Sequence, residues 1–261
     1  MVTISKYEPG QFSWVDLMSL EAAAAKQFYG DLFGWTPVDM QDDTGGTYTQ
    51  FHLRDKPVAG LGEMSAEMKE TGMPAVWNSY VTVEDADACA ARATEIGGAV
   101  QMPVMQITDA GRMAILADPT GARLSIWEPG SHLGAGFVNE PGSFAWNELA
   151  TTDLEAARAF YQKLFGWTYE GGDGENPYLE IQNRGRSNGG IRPIGADDGP
   201  APPHWGVYFA VEDCDASRDR AASLGAQVIV PGVDIAQGRF AVLADPQGAV
   251  FTVMRVDQPD A

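Results

Sequence analysis

Phe12 to Thr36 reads FSWVDLMSLEAAAAKQFYGDLFGWT, and Phe144 to Thr168 reads FAWNELATTDLEAARAFYQKLFGWT. The second stretch follows the first at an offset of 132 residues without a gap, and 12 of the 25 positions are identical. Self-similarity over such a length marks a tandem duplication and has to be settled before any element is assigned. Two further pairs extend it. Trp77 to Asp85 reads WNSYVTVED against WGVYFAVED at Trp205 to Asp213. Gly111-Arg112 leads to LADPTGA at Leu116 to Ala122, and Gly238-Arg239 leads to LADPQGA at Leu243 to Ala249. The offset shrinks to 128 and then 127, which places the deletions in loops, where they are tolerated.

Within each half the same order recurs. Ser13 to Leu17 is short and mixed, as a strand would be, and Ala25, Phe28, Tyr29 and Leu32 follow at the i, i+3, i+4, i+7 spacing of an amphipathic helix. Ala157, Phe160, Tyr161 and Leu164 repeat that spacing. Thr152 with Glu155 predicts a capping box there. Gly34 and Gly166 are the expected stops. The second quarter predicts a strand over Asn78 to Val83, a helix from Ala86 to Ile96 and a stop at Gly97-Gly98. Strands follow near Val100 to Ile107, Arg112 to Leu116 and Ala122 to Trp127. The order is therefore βαβββ, four times, an α+β class. Gly- and Pro-containing links lie at Gly62 to Pro74, Pro129 to Ser143 and Ile194 to Pro203. The central link divides the chain into expected domains over 8–130 and 142–257.

Composition narrows the partners. The 261 residues carry a formal net charge of −19, which repels phosphate backbones and anionic lipid, so neither nucleic acid nor a membrane surface is expected. There is no apolar run of about 18 residues to span a bilayer. Met1 to Gly10 lacks an apolar signal segment, so a soluble, cytoplasmic protein is expected. Cys89 and Cys214 lie in different halves within Ala-rich helical patterns and read as reduced thiols. No GxGxxG, GxxxxGK[ST], GxSxG or HExxH motif is present, so Gly111, Gly121, Gly238 and Gly248 read as turn glycines.

Taken together, the duplicated FYxxLFGWT, VEDxDA and LADPxGA blocks resemble the vicinal oxygen chelate superfamily of glyoxalases, bleomycin-resistance proteins and extradiol dioxygenases. The likeness spans about residues 12 to 256 and is nearest to two-domain members labelled glyoxalases or hydroxylases. It implies that two βαβββ modules pair in each domain around a cleft, giving two clefts. It also implies a divalent metal in the catalytic relatives, held by a His or Gln on the first strand of a module and a Glu on its last.

Those ligand positions, carried over by motif, fall on other residue types here. Fifteen residues before the Tyr of each FY pair stand Trp14 and Trp146, whose indole nitrogen donates and cannot ligate. Six residues before the first acid of each VED block stand Asn78 and Gly206. Seven residues after the Asp of each DP pair stand Ser125 and Thr252. The matching stretches in the odd modules, Val58 to Leu61 and Asn188 to Ile191, hold no carboxylate. No metal and no other cofactor is expected. A displaced pair, His204 with Glu148, is the remaining metal candidate, two ligands where structural sites use three or four. His52 and His132 lie outside the pattern.

Side chains two apart on a strand share a face. Trp14 then lies with Asp16, Asn78 with Tyr80, Ser125 with Trp127, Trp146 with Glu148, Gly206 with Tyr208 and Thr252 with Met254. Aromatic walls with a few polar groups suit a flat organic molecule. The expected ligand-binding residues are Trp14, Asn78, Tyr80, Ser125, Trp127, Trp146, His204, Tyr208, Thr252 and Met254, with Asp16 and Glu148 able to act as bases. The plainer readings are that the tryptophans fill the core and that Asp16 and Glu148 pair with Arg112 and Arg239. The functions to weigh are a metal-independent binder of an aromatic or polyketide-like small molecule, of resistance or hydroxylase type; a metal-free tailoring enzyme; a metal-dependent glyoxalase-like lyase acting on aldehyde–thiol adducts; and a scaffold with filled clefts. Four modules in one chain allow a monomer, and open sheet edges allow a homodimer.

Overall fold

The computed structural model describes residues 4–41, 46–174 and 177–257; positions 1–3 of the N-terminal segment read above lie outside the described residues. The first half runs β1 (Phe12–Ser19), α1 (Ala22–Phe33), β2 (Thr36–Gln41), β3 (Thr47–Leu53), β4 (Lys56–Glu63), α2 (Ala66–Glu70), β5 (Val76–Thr82), α3 (Ala86–Glu95), β6 (Ala99–Ile107), β7 (Gly111–Ala117) and β8 (Arg123–Pro129). The second runs β9 (Phe144–Thr151), α4 (Leu154–Phe165), β10 (Thr168–Gly171), β11 (Leu179–Asn183), β12 (Arg186–Pro193), β13 (His204–Ala210), α5 (Cys214–Ser223), β14 (Gln227–Ile235), β15 (Gly238–Ala244) and β16 (Val250–Val256). The βαβββ order thus stands four times, in an α+β fold. The short helix α2 inside the first link escaped the sequence reading; Ser65 starts it by accepting from the Met68 N–H at 3.2 Å.

Helices α1 and α4 bury the stripes their spacing predicts: Ala25, Phe28 and Tyr29 in one, Ala157, Phe160 and Tyr161 in the other. Both end on a left-handed glycine, Gly34 at φ 72° and Gly166 at φ 74°, whose N–H closes the last turn. The expected capping box of Thr152 with Glu155 does not form. Asp153, one residue on, is the extended N-cap, and its carboxylate accepts from the Ala156 N–H at 2.9 Å.

Each half makes one eight-stranded sheet, ordered β2-β3-β4-β1-β5-β8-β7-β6 and β10-β11-β12-β9-β13-β16-β15-β14. In every module the first strand lies parallel to the last, and the two modules of a sheet join through their antiparallel first strands. A bulge interrupts that central pairing. Phe12 opposes Val81 while Trp14 opposes Tyr80, so Ser13 is extra; Ala145 is the extra residue between Phe144 and Trp146. The bulge sends Phe12 to one face of the sheet and Trp14 to the other.

The helix-bearing sides of the two sheets meet, with α1 against α5 and α3 against α4. A continuous aromatic core crosses the junction. Phe209 lies 5.0 Å from Trp77 and 5.2 Å from Phe33, and Phe12 lies 5.2 Å from Trp205 and 5.6 Å from Trp167. Some of the polar links repeat with the duplication, and the Ser79–Asn147 bond, with Val207 and Val15 at the counterpart positions, does not. Trp35 donates to the Gly142 carbonyl at 2.7 Å and Trp167 to the Gly10 carbonyl at 2.8 Å. Ser79 donates to Asn147 at 2.7 Å from sheet to sheet. Trp77 Nε1 donates to the Tyr29 hydroxyl, which donates to Asp245 of the second DP turn, both at 2.9 Å. Replacing Tyr29 by Phe leaves a buried indole N–H and a buried carboxyl without that partner, so Tyr29→Phe should cost about 2–4 kcal/mol in urea unfolding. A loss below about 0.5 kcal/mol would show the domains to be held by packing alone.

Candidate functional site

The faces turned away from this junction carry the residues of interest. In the first sheet Trp14, Asp16 and Met18 sit on β1 opposite Tyr80, Asn78 and Val76 on β5, and Tyr80 is beside Ser125 on β8. Asp16 lies at the centre and is only 7% exposed. Its carboxylate accepts from Tyr80 at 2.8 Å, from the Asn78 amide at 2.9 Å and from Tyr48 at 3.4 Å. Tyr48 in turn accepts from Trp14 Nε1 at 2.9 Å. Burial raises the Asp16 carboxyl above its ordinary pKa and outweighs the three donors that pull it down. Burial also carries the Tyr48 and Tyr80 hydroxyls well above the usual phenol range, with the Asp16 charge adding to it, so both stay protonated as donors. The Tyr48 hydroxyl passes over Gly60, where any Cβ would collide with it. Further out Val38, Met40, Val76 and Met105, all on this face by register, are each 40–43% exposed.

The central link lies over one end of this cleft. Ala135 N–H bonds to the bulged Ser13 carbonyl at 2.8 Å, and Gly136 N–H to the Pro57 carbonyl at 2.7 Å. The link carries His132 to 4.5 Å from the Trp14 ring, edge to face, and its carbonyl accepts from Trp127 Nε1 at 2.9 Å. Burial lowers the imidazole pKa to about 4, so the ring is neutral at pH 7, and its Nε2 is buried without a partner among the described residues.

The second cleft repeats the floor with one decisive change. Glu148 accepts from Tyr208 at 2.9 Å, Trp146 donates to Tyr178 at 3.0 Å, and the Tyr178 hydroxyl passes over Gly190 as Tyr48 does over Gly60. Here a cation completes the set. Arg192 Nε donates to Glu148 at 2.9 Å, and its two terminal nitrogens reach Asp198 at 2.8 and 2.7 Å. The Asp198 partnership holds the guanidinium pKa above its ordinary value and draws the Asp198 carboxyl below its own. The floor of this cleft is the more exposed, position for position: Tyr178 is 39% exposed where Tyr48 is half-buried, and Trp146 is half-buried where Trp14 is 4% exposed.

The profile of the Glyoxalase/Bleomycin resistance protein/Dioxygenase superfamily matches residues 11–126, and that of a Glyoxalase-like domain matches 146–254. "Putative glyoxylase CFP32" of Mycobacterium tuberculosis (strain CDC 1551 / Oshkosh) is 42% identical over 260 residues, covering 96% of this chain and 97% of that protein. The chain belongs to the glyoxalase/bleomycin resistance protein/dioxygenase superfamily. "Anthracycline biosynthesis protein DauV" of Streptomyces sp. (strain C5) is 38% identical over 266 residues, covering 97% of this chain and 96% of that protein. Among solved structures, the Mn(II)-bound glyoxalase from Novosphingobium aromaticivorans superposes with a TM-score of 0.65, covering 97% of this chain and 86% of that one. At 15% identity that likeness speaks for the fold alone.

A divalent metal of the kind this superfamily can hold does not fit the donors present. In the first cleft the family positions hold an indole N–H, an amide given to Asp16, and the Ser125 hydroxyl, and the one carboxylate at that centre is bound by three donors. In the second cleft Glu148 faces a fixed positive charge at 2.9 Å, which repels a metal ion. The His204 candidate turns its Nδ1 to the Pro202 carbonyl at 2.8 Å. No cluster of three His, Cys, Asp or Glu suited to a metal occurs among the described residues.

The structure brings Trp14, Asp16, Asn78, Tyr80, Ser125 and Trp127 onto one face, and Trp146, Glu148, His204, Tyr208, Thr252 and Met254 onto the other. It corrects the ion pairs expected for the two acids. Arg112 reaches Asp87 and Glu128, and Arg239 reaches Asp215 and Asp234, all away from the clefts, because their strand positions point to the helix side. The sequence reading named neither Tyr48, Tyr178 nor Arg192, and set His132 outside the pattern. The first two stand 130 residues apart, between the offsets of the flanking repeat blocks, and could have been found by aligning the copies across that loop change. His132 sits in a link without periodicity, so no sequence pattern places it at a cleft. Both cysteines are free, Cys214 buried and Cys89 partly so, its thiol pKa raised to about 12 by burial.

Asp16 yields a pH test. A carboxyl raised in the fold favours its protonated form there, so its stabilising contribution is complete below the ordinary carboxylate pKa of about 4 and is lost as pH rises through the raised value. Asp16→Asn should therefore melt higher than the parent at pH 7.5 and lose that advantage by about pH 4. A difference in melting temperature that stays constant with pH would mean Asp16 is not shifted.

Proposed function

We propose that this superfamily member is a metal-independent binder of a flat aromatic or polyketide-like small molecule, and that the first cleft holds it. The observation that carries this reading is the exposed apolar rim of Val38, Met40, Val76 and Met105 on the same face as the Trp14–Tyr80–Trp127 wall. Val38 and Met40 lie on one edge strand, Val76 on the central β5 and Met105 on the opposite edge strand, so exposed apolar side chains flank the cleft from both rims of a chain with a net charge of −19. Methionine side chains adapt to ring systems of varied outline and make favourable sulfur–aromatic contacts. Trp127, fixed through its indole N–H and 6% exposed, would meet the ligand with the part of its ring that faces the cleft, beside Ser125 and Asn78 on the same face. Asp16 would orient a ligand hydroxyl or accept its proton. The name of DauV, a relative assigned to anthracycline biosynthesis, supports a polycyclic aromatic ligand. The lyase reading has the shared fold and the name of the CFP32 relative behind it, and the donor set opposes its metal.

The test is titration of the purified, metal-analysed protein with a hydroxyanthraquinone, followed by quenching of tryptophan fluorescence. Binding should survive chelator treatment within about twofold, and Trp127→Ala should weaken it about tenfold or more, the loss of roughly 1.4 kcal/mol of stacking. Binding abolished by chelator and restored by a divalent ion would overturn metal independence. No quenching by any polycyclic aromatic would overturn the ligand class.

A further inference from the structure

We infer that the molecule held in the first cleft carries a protonated nitrogen, an amine or amidine attached to its flat ring system, with Asp16 as its counter-ion. The inference rests on the reading of the first cleft as the binding site and adds the charge of the ligand. It comes from comparing the two copies. Both floors hold a carboxylate on the first strand, a tyrosine donating from the neighbouring antiparallel strand, and a Trp–Tyr pair folded over a glycine. In the second copy the carboxylate also receives a planar cation, the guanidinium of Arg192. Arg192 pairs in register with Ala150, and its counterpart in the first copy, Gly62, pairs with Met18.

At Gly62 the place of a side chain is open. A Cβ there would meet only the Met18 thioether and terminal methyl, both at 3.7 Å. The donors on Asp16 are all neutral groups: two phenols and an amide. A buried carboxylate with neutral donors alone lacks the partner that offsets its desolvation, whereas the second copy supplies one from its own chain. Arg123, two residues before Ser125 and so on the same face, is exposed at the start of β8, where water and salt screen it. The carboxylate of the second cleft thus already has an internal cation, and the first presents the same floor to one that must come from outside.

Three hydroxyanthraquinones differing in a single substituent, aminomethyl, methyl or carboxylate, test this by titration calorimetry at pH 7.5. The aminomethyl compound should bind about tenfold to a hundredfold more tightly than the methyl compound, the span of a charge-assisted hydrogen bond, and the carboxylate more weakly than both. That order should collapse in Asp16→Asn, checked for folding by circular dichroism. Gly62→Arg, which supplies the cation internally, should remove binding of the aminomethyl compound, and Arg192→Gly should raise its stoichiometry from about one to about two per chain. Equal affinities in the parent protein, or tightest binding of the methyl or carboxylate compound, would overturn the charge assignment and leave aromatic binding standing. No binding of any of the three would overturn the reading of the cleft, and the charge assignment with it.

Discussion

The hydrogen-bonded chain from Trp77 through Tyr29 to Asp245 joins one domain to the other, and the rest of the architecture is arranged around that joint. Tyr29 belongs to a helix of the first domain and Asp245 to a turn of the second. Asp245 is held by its own turn, accepting from Gln247 and Ala249, so it presents a fixed acceptor to its neighbour. Because each half commits its helix-bearing face to the other, neither face remains for a ligand. What is left to each sheet is the opposite face, and both clefts open outward.

This joint explains why the most repetitive parts of the chain are the least informative about chemistry. The FYxxLFGWT and LADPxGA blocks are repeated because both copies of an internally paired molecule must satisfy the same contacts. Trp35 and Trp167 show it: each indole donates to a backbone carbonyl, of Gly142 and Gly10, which themselves stand 132 residues apart. The βαβββ order, the helix stops at Gly34 and Gly166, and the facing of Trp14 with Asp16 could all be read from periodicity. The partners of the two acids could not. Asp16 and Glu148 look alike in sequence, and only the register of β4 and β12 shows that Gly62 and Arg192 are the residues that set them apart. His132 reaches its cleft because a link crosses the sheet, which no local pattern encodes.

Divergence between the copies falls on the cleft faces and, at the joint, on the Ser79–Asn147 bond, whose counterparts are Val207 and Val15. Val38 stands where the second copy has Glu170, Met18 where it has Ala150, and Val76 where it has His204. The first face is apolar outside its centre, and the second is polar and ion-paired. Had both clefts served one ligand, the same substitutions would have been expected in each. The proposed division of roles, one cleft whose carboxylate lacks a cation and one whose carboxylate is paired within the chain, would account for the direction of the differences.

Losing a metal would ordinarily leave a cleft floor without an organising centre, since a cation aligns the groups around it. Here hydrogen bonds take that part. Trp14 cannot ligate, but its N–H fixes the Tyr48 hydroxyl, and Tyr48, with Tyr80 and Asn78, aims a donor at Asp16. Gly60 makes room for the Tyr48 hydroxyl to cross the sheet, and Gly190 does the same for Tyr178. The network sets neutral dipoles where a metal would set a positive charge. A metal-centred floor attracts anionic oxygen, whereas a floor of neutral donors around a carboxylate does not. On the proposed metal-free reading, Trp14 at the ligand position would therefore invert the charge the first cleft prefers and leave its shape to the fold.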